Sequence, residues 1–295
     1  GLPVISLQQH DFHQRLDGFK VLCLANEASL STEQMDRIRQ FVGTGGGLIA
    51  THETSLYDEK GNRRDDFGLA DMFGIHYQGM LPANGRKARF DNAHPVTAGL
   101  NAEQSIAHDD VHVVTRLGHG KPLAMLEGDD LEDGPVPAVV VQKYGYGRVA
   151  YLPGRLDAIQ CDEPNPAIER LFAKAVRWVA DGDIPVQVEA PAPVNVSLFD
   201  QPGRRILHLI NLNGDTRYRN TEIEPVENVH IQMQVPSGYR IERLRRLWDQ
   251  SNVMFESDGN TVQFTLGRIG EYEVVVADWE NTVSMPEAKE QADMK

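Results

Sequence analysis

Apolar and polar positions change period along this chain, and the first clear pattern lies between Phe19 and Leu56. An apolar run, Val21-Leu22-Cys23-Leu24-Ala25, stops at Asn26-Glu27. Ser31 then opens an amphipathic stretch, with Gln34 three residues later as its capping-box partner. Met35, Ile38 and Val42 recur at helical spacing between Arg37, Arg39 and Gln40. Gly43 and the run Gly45-Gly46-Gly47 end that stretch, because glycine takes left-handed backbone angles without strain. A second apolar run, Leu48-Ile49-Ala50, ends in Thr51-His52-Glu53. The pattern predicts strand, helix, strand: one βαβ unit of a buried parallel sheet.

Around this unit the signals are shorter. Leu2 to Leu7 reads as a strand and Asp11 to Leu16 as a helical turn or loop. Phe67 to Phe73 reads as a helix with Leu69, Met72 and Phe73 inward and Gly74 as its stop, followed by irregular chain from Ile75 to Ala88. Strands are expected at His108 to Thr115, Pro122 to Leu126, Ala138 to Gln142 and Arg148 to Leu152, the last two joined by a turn at Tyr144-Gly145-Tyr146-Gly147. Asn165 and Pro166 start a helix whose inner stripe is Ile168, Leu171, Phe172, Ala175 and Val179, and Asp181-Gly182-Asp183 stops it.

Composition shifts at Val188 to Pro193 (VEAPAP), and beyond it the period becomes two. Ile206, His208, Ile210 and Leu212 alternate, as do Val229, Ile231, Met233 and Val235, then Val262, Phe264 and Leu266, with Tyr272 to Ala277 closing the series. Short alternating strands joined by turns predict an antiparallel β-sandwich. The expected division is an α/β domain over 1–187, a sandwich over 188–279 and a disordered tail over 280–295, where apolar residues are few.

A length of 295 residues with 41% apolar content is enough for two domains with real cores. A net charge of −14 argues against nucleic acid or an anionic membrane as partner, since both reward clustered Lys and Arg. No apolar run approaches the roughly 20 residues that span a bilayer. The expectation is a soluble chain, cytoplasmic rather than secreted.

Ligands of parallel α/β sheets sit beyond the carboxyl ends of the strands. Here those ends carry Glu27, His52, Glu53, Arg155 and Asp157. They would line a small polar pocket, or the wall of a neighbouring active site; equally, they would form a hydrogen-bonded network that caps strand ends. His108, Asp110 and His112 share one strand face and have metal-ligand chemistry, but a zinc site wants three or four converging ligands and no partner cluster is evident. An exposed strand edge is the simpler reading. Gly45 to Gly47 precede a strand and lack the Lys-Ser/Thr of a phosphate loop, so they form a helix-to-strand turn. His208 reads as a packed or edge histidine. Arg243, Arg245 and Arg246 read as a solvated strand face, with a carbohydrate or partner contact through Trp248 as the alternative. No cofactor, metal or catalytic residue is assigned.

The stretch FKVLCLANEASLSTEQMDRIRQFVGTGGGLIATHETSLYDEKG resembles the middle domain of family 42 glycoside hydrolases, the β-galactosidase trimerisation domain, itself a relative of class I glutamine amidotransferases. The resemblance continues through HPVTAGL, YGYGRVAYLPGRLD and the helix after Asn165. Ile206 to Ala277 resembles the small β-sandwich that follows this domain in such enzymes. The resemblance implies a flavodoxin-like, amidotransferase-like α/β fold lacking its first strand and helix, followed by an antiparallel sandwich. It also implies a catalytic TIM-type barrel upstream, carrying the two carboxylates that glycoside hydrolysis needs. Nothing here supplies that barrel, so the chain is expected to be the C-terminal part of a longer protein, or a remnant that lost its barrel. Its implied work is assembly, as a homo-oligomer (a trimer by resemblance), with carbohydrate as a possible partner. The alternative is a stand-alone carbohydrate-binding protein or hydrolase that uses the strand-end pocket.

In active amidotransferases a Cys sits on a sharp strand-to-helix turn. The comparable turn here, Ala50-Thr51-His52-Glu53-Thr54, has none. Cys23 lies within an apolar strand and reads as a buried structural thiol. Cys161 lies among acids (QCDEPNP), which raise a thiol's pKa and weaken it as a nucleophile. Amidotransferase chemistry is therefore not expected.

Overall fold

The structure is a computed structural model that describes residues 1–8, 16–82, 86–100, 103–104, 111–128, 131, 134–155, 166–214 and 223–282. It divides into two compact units: Leu7–Asp183, and Ile184–Lys295 together with Gly1–Ser6. Leu2 to Leu7 therefore does not form a strand of the first unit. Its one pairing is a bridge from Pro3 to Val196 in the second. The division falls at Asp183/Ile184, where Asp181 and Gly182 turn the chain with φ of 55° and 77°.

The first unit begins with β1 (Val21–Leu24), α1 (Thr32–Gly43) and β2 (Gly47–Thr51). Helix α1 starts as its sequence requires. The Ser31 hydroxyl accepts from the Gln34 N–H at 3.2 Å, and the Gln34 side chain accepts from the Ser31 N–H at 2.8 Å. Met35, Ile38, Phe41 and Val42 are its buried face. There follow α2 (Ala70–Phe73), stopped by Gly74 at φ 69°, then β3 (Ile75–Pro82), β4 (Ala88–Phe90), β5 (Glu103–Gln104), β6 (Val111–Leu117), β7 (Lys121–Leu126), β8 (Val136–Tyr144), β9 (Gly147–Leu152) and α3 (Pro166–Val179). The stretch expected to be irregular after Ile75 is thus the strand β3, paired with β6. Its Tyr77-Gln78-Gly79 bulge obscures the period-two signal.

The main sheet runs β1-β2-β9-β8-β7-β4-β5 and is mixed. Only β1, β2 and β9 are parallel; β8, β7, β4 and β5 continue antiparallel, starting with the β8–β9 hairpin at Tyr144–Gly147. The expected parallel sheet is confined to one side. Cys23 was expected to be buried, but its side chain is exposed. Strand β1 is an edge strand; Leu22 and Leu24 are buried on one face and Val21 is partly buried against the core on the other, leaving Cys23 exposed. Helix α3 packs Ile168, Leu171, Ala175 and Val179 against one face of the sheet, and α1 and α2 pack against the other. The α3 contact is close: a Cβ on Gly47 would lie 2.6 Å from the Val179 carbonyl oxygen.

The second unit comprises β10 (Val186–Glu189), β11 (Val194–Gln201), β12 (Arg204–Asn211), β13 (Val226–Gln234), β14 (Tyr239–Arg246), β15 (Phe255–Asp258), β16 (Thr261–Ile269) and β17 (Tyr272–Asn281). Two antiparallel sheets, β10-β13-β16-β15 and β11-β12-β17-β14, enclose one apolar core. In β13 and β16 the expected inward residues are buried. In β12 the phase is reversed: Arg205, Leu207, Leu209 and Asn211 are buried, while Ile206, His208 and Ile210 face outward. Strand β17 continues through Glu280 to Asn281, and the rest of the expected tail, 283–295, lies outside the described residues.

The basic run on β14 is paired rather than simply solvated. Arg245 meets Asp278 at 3.1 Å and Arg246 meets Glu273 at 3.3 Å, while Trp248 is 94% exposed. No described helix is long and apolar enough to cross a membrane.

Candidate functional site

Strands β1, β2 and β9 lie side by side in parallel, with Leu24 opposite Ala50 and Thr51 opposite Leu152, so their carboxyl ends form one rim. The chain leaves β1 at Asn26 with φ 52° and leaves β2 at His52 with φ 48°; Ser55 follows at φ 69°. Side chains in this left-handed region crowd Cβ against a carbonyl, at a cost of roughly 1–2 kcal/mol for residues such as His52 and Ser55, whereas asparagine enters it more readily. Such strain persists only where surrounding bonds hold it, and it concentrates at functional sites.

The holding bonds are visible. Thr51 Oγ1 accepts from the Asn26 N–H at 2.8 Å, and Asn26 Oδ1 accepts from the Glu53 N–H at 3.2 Å. The Thr54 hydroxyl lies 3.2 Å from the Leu24 carbonyl oxygen and 2.6 Å from that of Thr51. The Glu27 carbonyl accepts from the Ser55 N–H at 3.0 Å, and the Tyr151 hydroxyl donates to the His52 carbonyl.

On this frame the side chains are mixed in polarity. His52 is 4% exposed, with Nδ1 3.8 Å from Glu53 Oε2. Glu53 Oε1 accepts from the Tyr57 hydroxyl at 3.1 Å. Burial, and then the Glu53 charge, raise the Tyr57 phenol above its ordinary value. The same two causes act more strongly on the fully buried Tyr151. The Arg63 guanidinium stacks 4.6 Å over the Tyr77 ring. His112 comes to the rim from β6, where the Val113 N–H donates to the Pro153 carbonyl at 3.2 Å. It is buried, and Nε2 donates to the Pro137 carbonyl at 2.9 Å. Burial lowers its pKa to about 4; the Pro137 bond opposes that shift, while His52 and Arg86 add to it.

The structure brings Glu27, His52 and Glu53 together in two adjoining loops. Arg155, half-buried, follows β9 at the same rim, and Asp157 lies outside the described residues. His108, Asp110 and Cys161 also lie outside them. His112 is an interior residue, not part of an exposed edge. Sequence reasoning did not find Tyr57, Tyr77 and Tyr151. Tyr151 sits in an apolar strand with nothing local to mark it; Tyr57 lies only four residues beyond Glu53, in a loop whose path the sequence does not announce; and Tyr77 comes close only through the fold, with the Arg63 guanidinium over its ring. The partly buried groups of the rim include the Glu53 carboxylate and the Tyr57 hydroxyl bonded to it, whereas His52, His112 and Tyr151 are buried beneath them.

No family model matches the chain. It is 22% identical over 236 residues to β-galactosidase BglY of Alicyclobacillus acidocaldarius, covering 77% of this chain and 32% of that protein. In structure it is similar to α-L-fucosidase isoenzyme 2 from Paenibacillus thiaminolyticus, with a TM-score of 0.73 and 19% identity over 92% of this chain and 42% of that one. It is also similar to β-galactosidase from Bacillus circulans sp. alkalophilus, with a TM-score of 0.62 and 16% identity over 90% of this chain and 34% of that one. The relatives of this chain are family 42 β-galactosidases and related glycosidases. The chain spans less than half the length of each relative named here. At these identities the likeness to solved structures speaks for the fold of both units, and not for a reaction.

Proposed function

We propose that this chain is the non-catalytic accessory part of a β-galactosidase-like glycoside hydrolase whose catalytic barrel lies upstream. Its first unit is a flavodoxin-like, amidotransferase-like domain without a nucleophile. It holds protomers together, with a trimer as the assembly the family resemblance implies. Its strand-end rim, with Glu27, His52, Glu53 and Arg155, walls the active site of the barrel. The observation that carries the reading is that 77% of the chain aligns with only 32% of a β-galactosidase. The rim supports it: His52 occupies the strained turn after β2 where an amidotransferase would place its cysteine.

The test is the intact mass of the protein from its native source, followed by assay of that protein on aryl β-galactosides and by light scattering for its mass in solution. The expected result is a chain longer by a barrel (about 250 residues) that is active and oligomeric. A native chain of this length would overturn the accessory reading. It would favour a stand-alone carbohydrate-binding protein or hydrolase, whose best-supported site is the Glu53 carboxylate between His52 and Tyr57.

A further inference from the structure

The outer face of the sheet β10-β13-β16-β15 is patterned in a way that core packing does not require. The inward residues, Val188, Ile231, Met233, Val262 and Phe264 among them, build the core of the second unit. Their outward neighbours form rungs across the strands. Gln187 is directly opposite Gln232, Gln232 opposite Gln263, and Gln263 opposite Glu256. In the next rung Glu189 is opposite His230 and His230 opposite Thr265, with His230 Nδ1 2.8 Å from the Thr265 hydroxyl. Both rungs border a hollow of about 580 Å³, and Met254, 87% exposed, stands at its side.

The geometry points to a carbohydrate-binding surface here, taking a neutral oligosaccharide laid across the strands. A sugar hydroxyl both donates and accepts, and so does a glutamine amide, whose planar fork spans two neighbouring hydroxyls. Carboxylates such as Glu189 and Glu256 accept from hydroxyl pairs in the same way. No Lys or Arg lines the hollow, and the chain carries a net charge of −14, so an anionic ligand is repelled. Adjacent strands lie about 4.8 Å apart, so successive amides step by about the length of one pyranose unit. The Met254 thioether is apolar and adaptable, and suits the C–H face of a sugar ring. This surface is separate from the strand-end rim and stands whether or not a barrel lies upstream.

Isothermal titration of the whole chain with β-1,4-galactotetraose, cellotetraose and trigalacturonate tests the assignment. The expected result is saturable binding of at least one neutral tetraose and none of trigalacturonate. The double variant Gln232→Ala/Gln263→Ala, altered only on the outward face, should weaken that binding at least tenfold, about 1.4 kcal/mol, with an unchanged thermal midpoint. No saturable binding of either neutral sugar, equal binding by the double variant, or equal binding of trigalacturonate would each overturn the proposal. Binding lost in Glu53→Gln but kept in the glutamine pair would move the sugar to the strand-end rim and overturn it too.

Discussion

The Tyr151 hydroxyl donates its hydrogen bond to the backbone carbonyl of His52, joining the end of β9 to the strained turn after β2. The Tyr151 ring is fully buried and stacks on Phe73 with centroids 4.7 Å apart. Tyr151→Phe keeps that packing and removes only the hydroxyl. A buried carbonyl then loses this donor, and the expected loss is about 1–2 kcal/mol in urea unfolding. An unchanged stability would show that water or another donor replaces the hydroxyl at no cost.

His112 makes stability depend on pH. Burial holds its folded pKa at about 4, against an ordinary 6.5. As pH falls the unfolded chain takes the proton first, so the contribution of neutral His112 is complete above about pH 6.5, declines between 6.5 and 4, and is lost below that. The total is roughly 3 kcal/mol. His112→Gln, whose side-chain amide can still donate to the Pro137 carbonyl, should flatten this part of the profile in denaturant titrations from pH 7 to 4.

Tyr57 and Glu53 are coupled electrostatically. The phenol is raised first by burial and then by the neighbouring carboxylate charge and its hydrogen bond. Glu53→Gln removes the charge, so the Tyr57 titration should move part of the way back toward 10, as read by NMR of ring-labelled tyrosine. The remaining elevation is chiefly that due to burial, with Tyr77 adding to it and Arg63 opposing it. A titration indifferent to Glu53 would mean the two side chains do not meet in solution.

The capping box of α1 sets a smaller, local effect. Ser31→Ala removes the acceptor of the Gln34 N–H at the helix start. The expected destabilisation is about 1 kcal/mol by thermal or urea unfolding, and Ser31→Asp should recover most of it because aspartate caps as well as serine does.

What the sequence determined by itself was local. Ser31 and Gln34 announce the start of α1, and the glycines after Gly43 its end. The stripe from Ile168 to Val179 identifies the face of α3, and the clean alternations of β13 and β16 identify their inward side, because in each case the burial pattern is set by neighbours a few residues away. The residues of the strand-end rim were legible as positions after apolar runs, as with Asn26-Glu27 and His52-Glu53. Only the tertiary structure decided the rest. β12 is apolar on both faces, so alternation alone cannot choose between them. Arg205 turns inward because Asp200 accepts its guanidinium at 2.6 and 2.8 Å and the Gln234 carbonyl accepts it at 2.6 Å. Phe199 and Tyr272 then flank the outward His208. The bulge that hides β3 and the bond from Tyr151 to the His52 carbonyl likewise depend on partners tens of residues distant. Long-range pairing and the satisfaction of buried polar groups are properties of the assembled chain, and no local period encodes them.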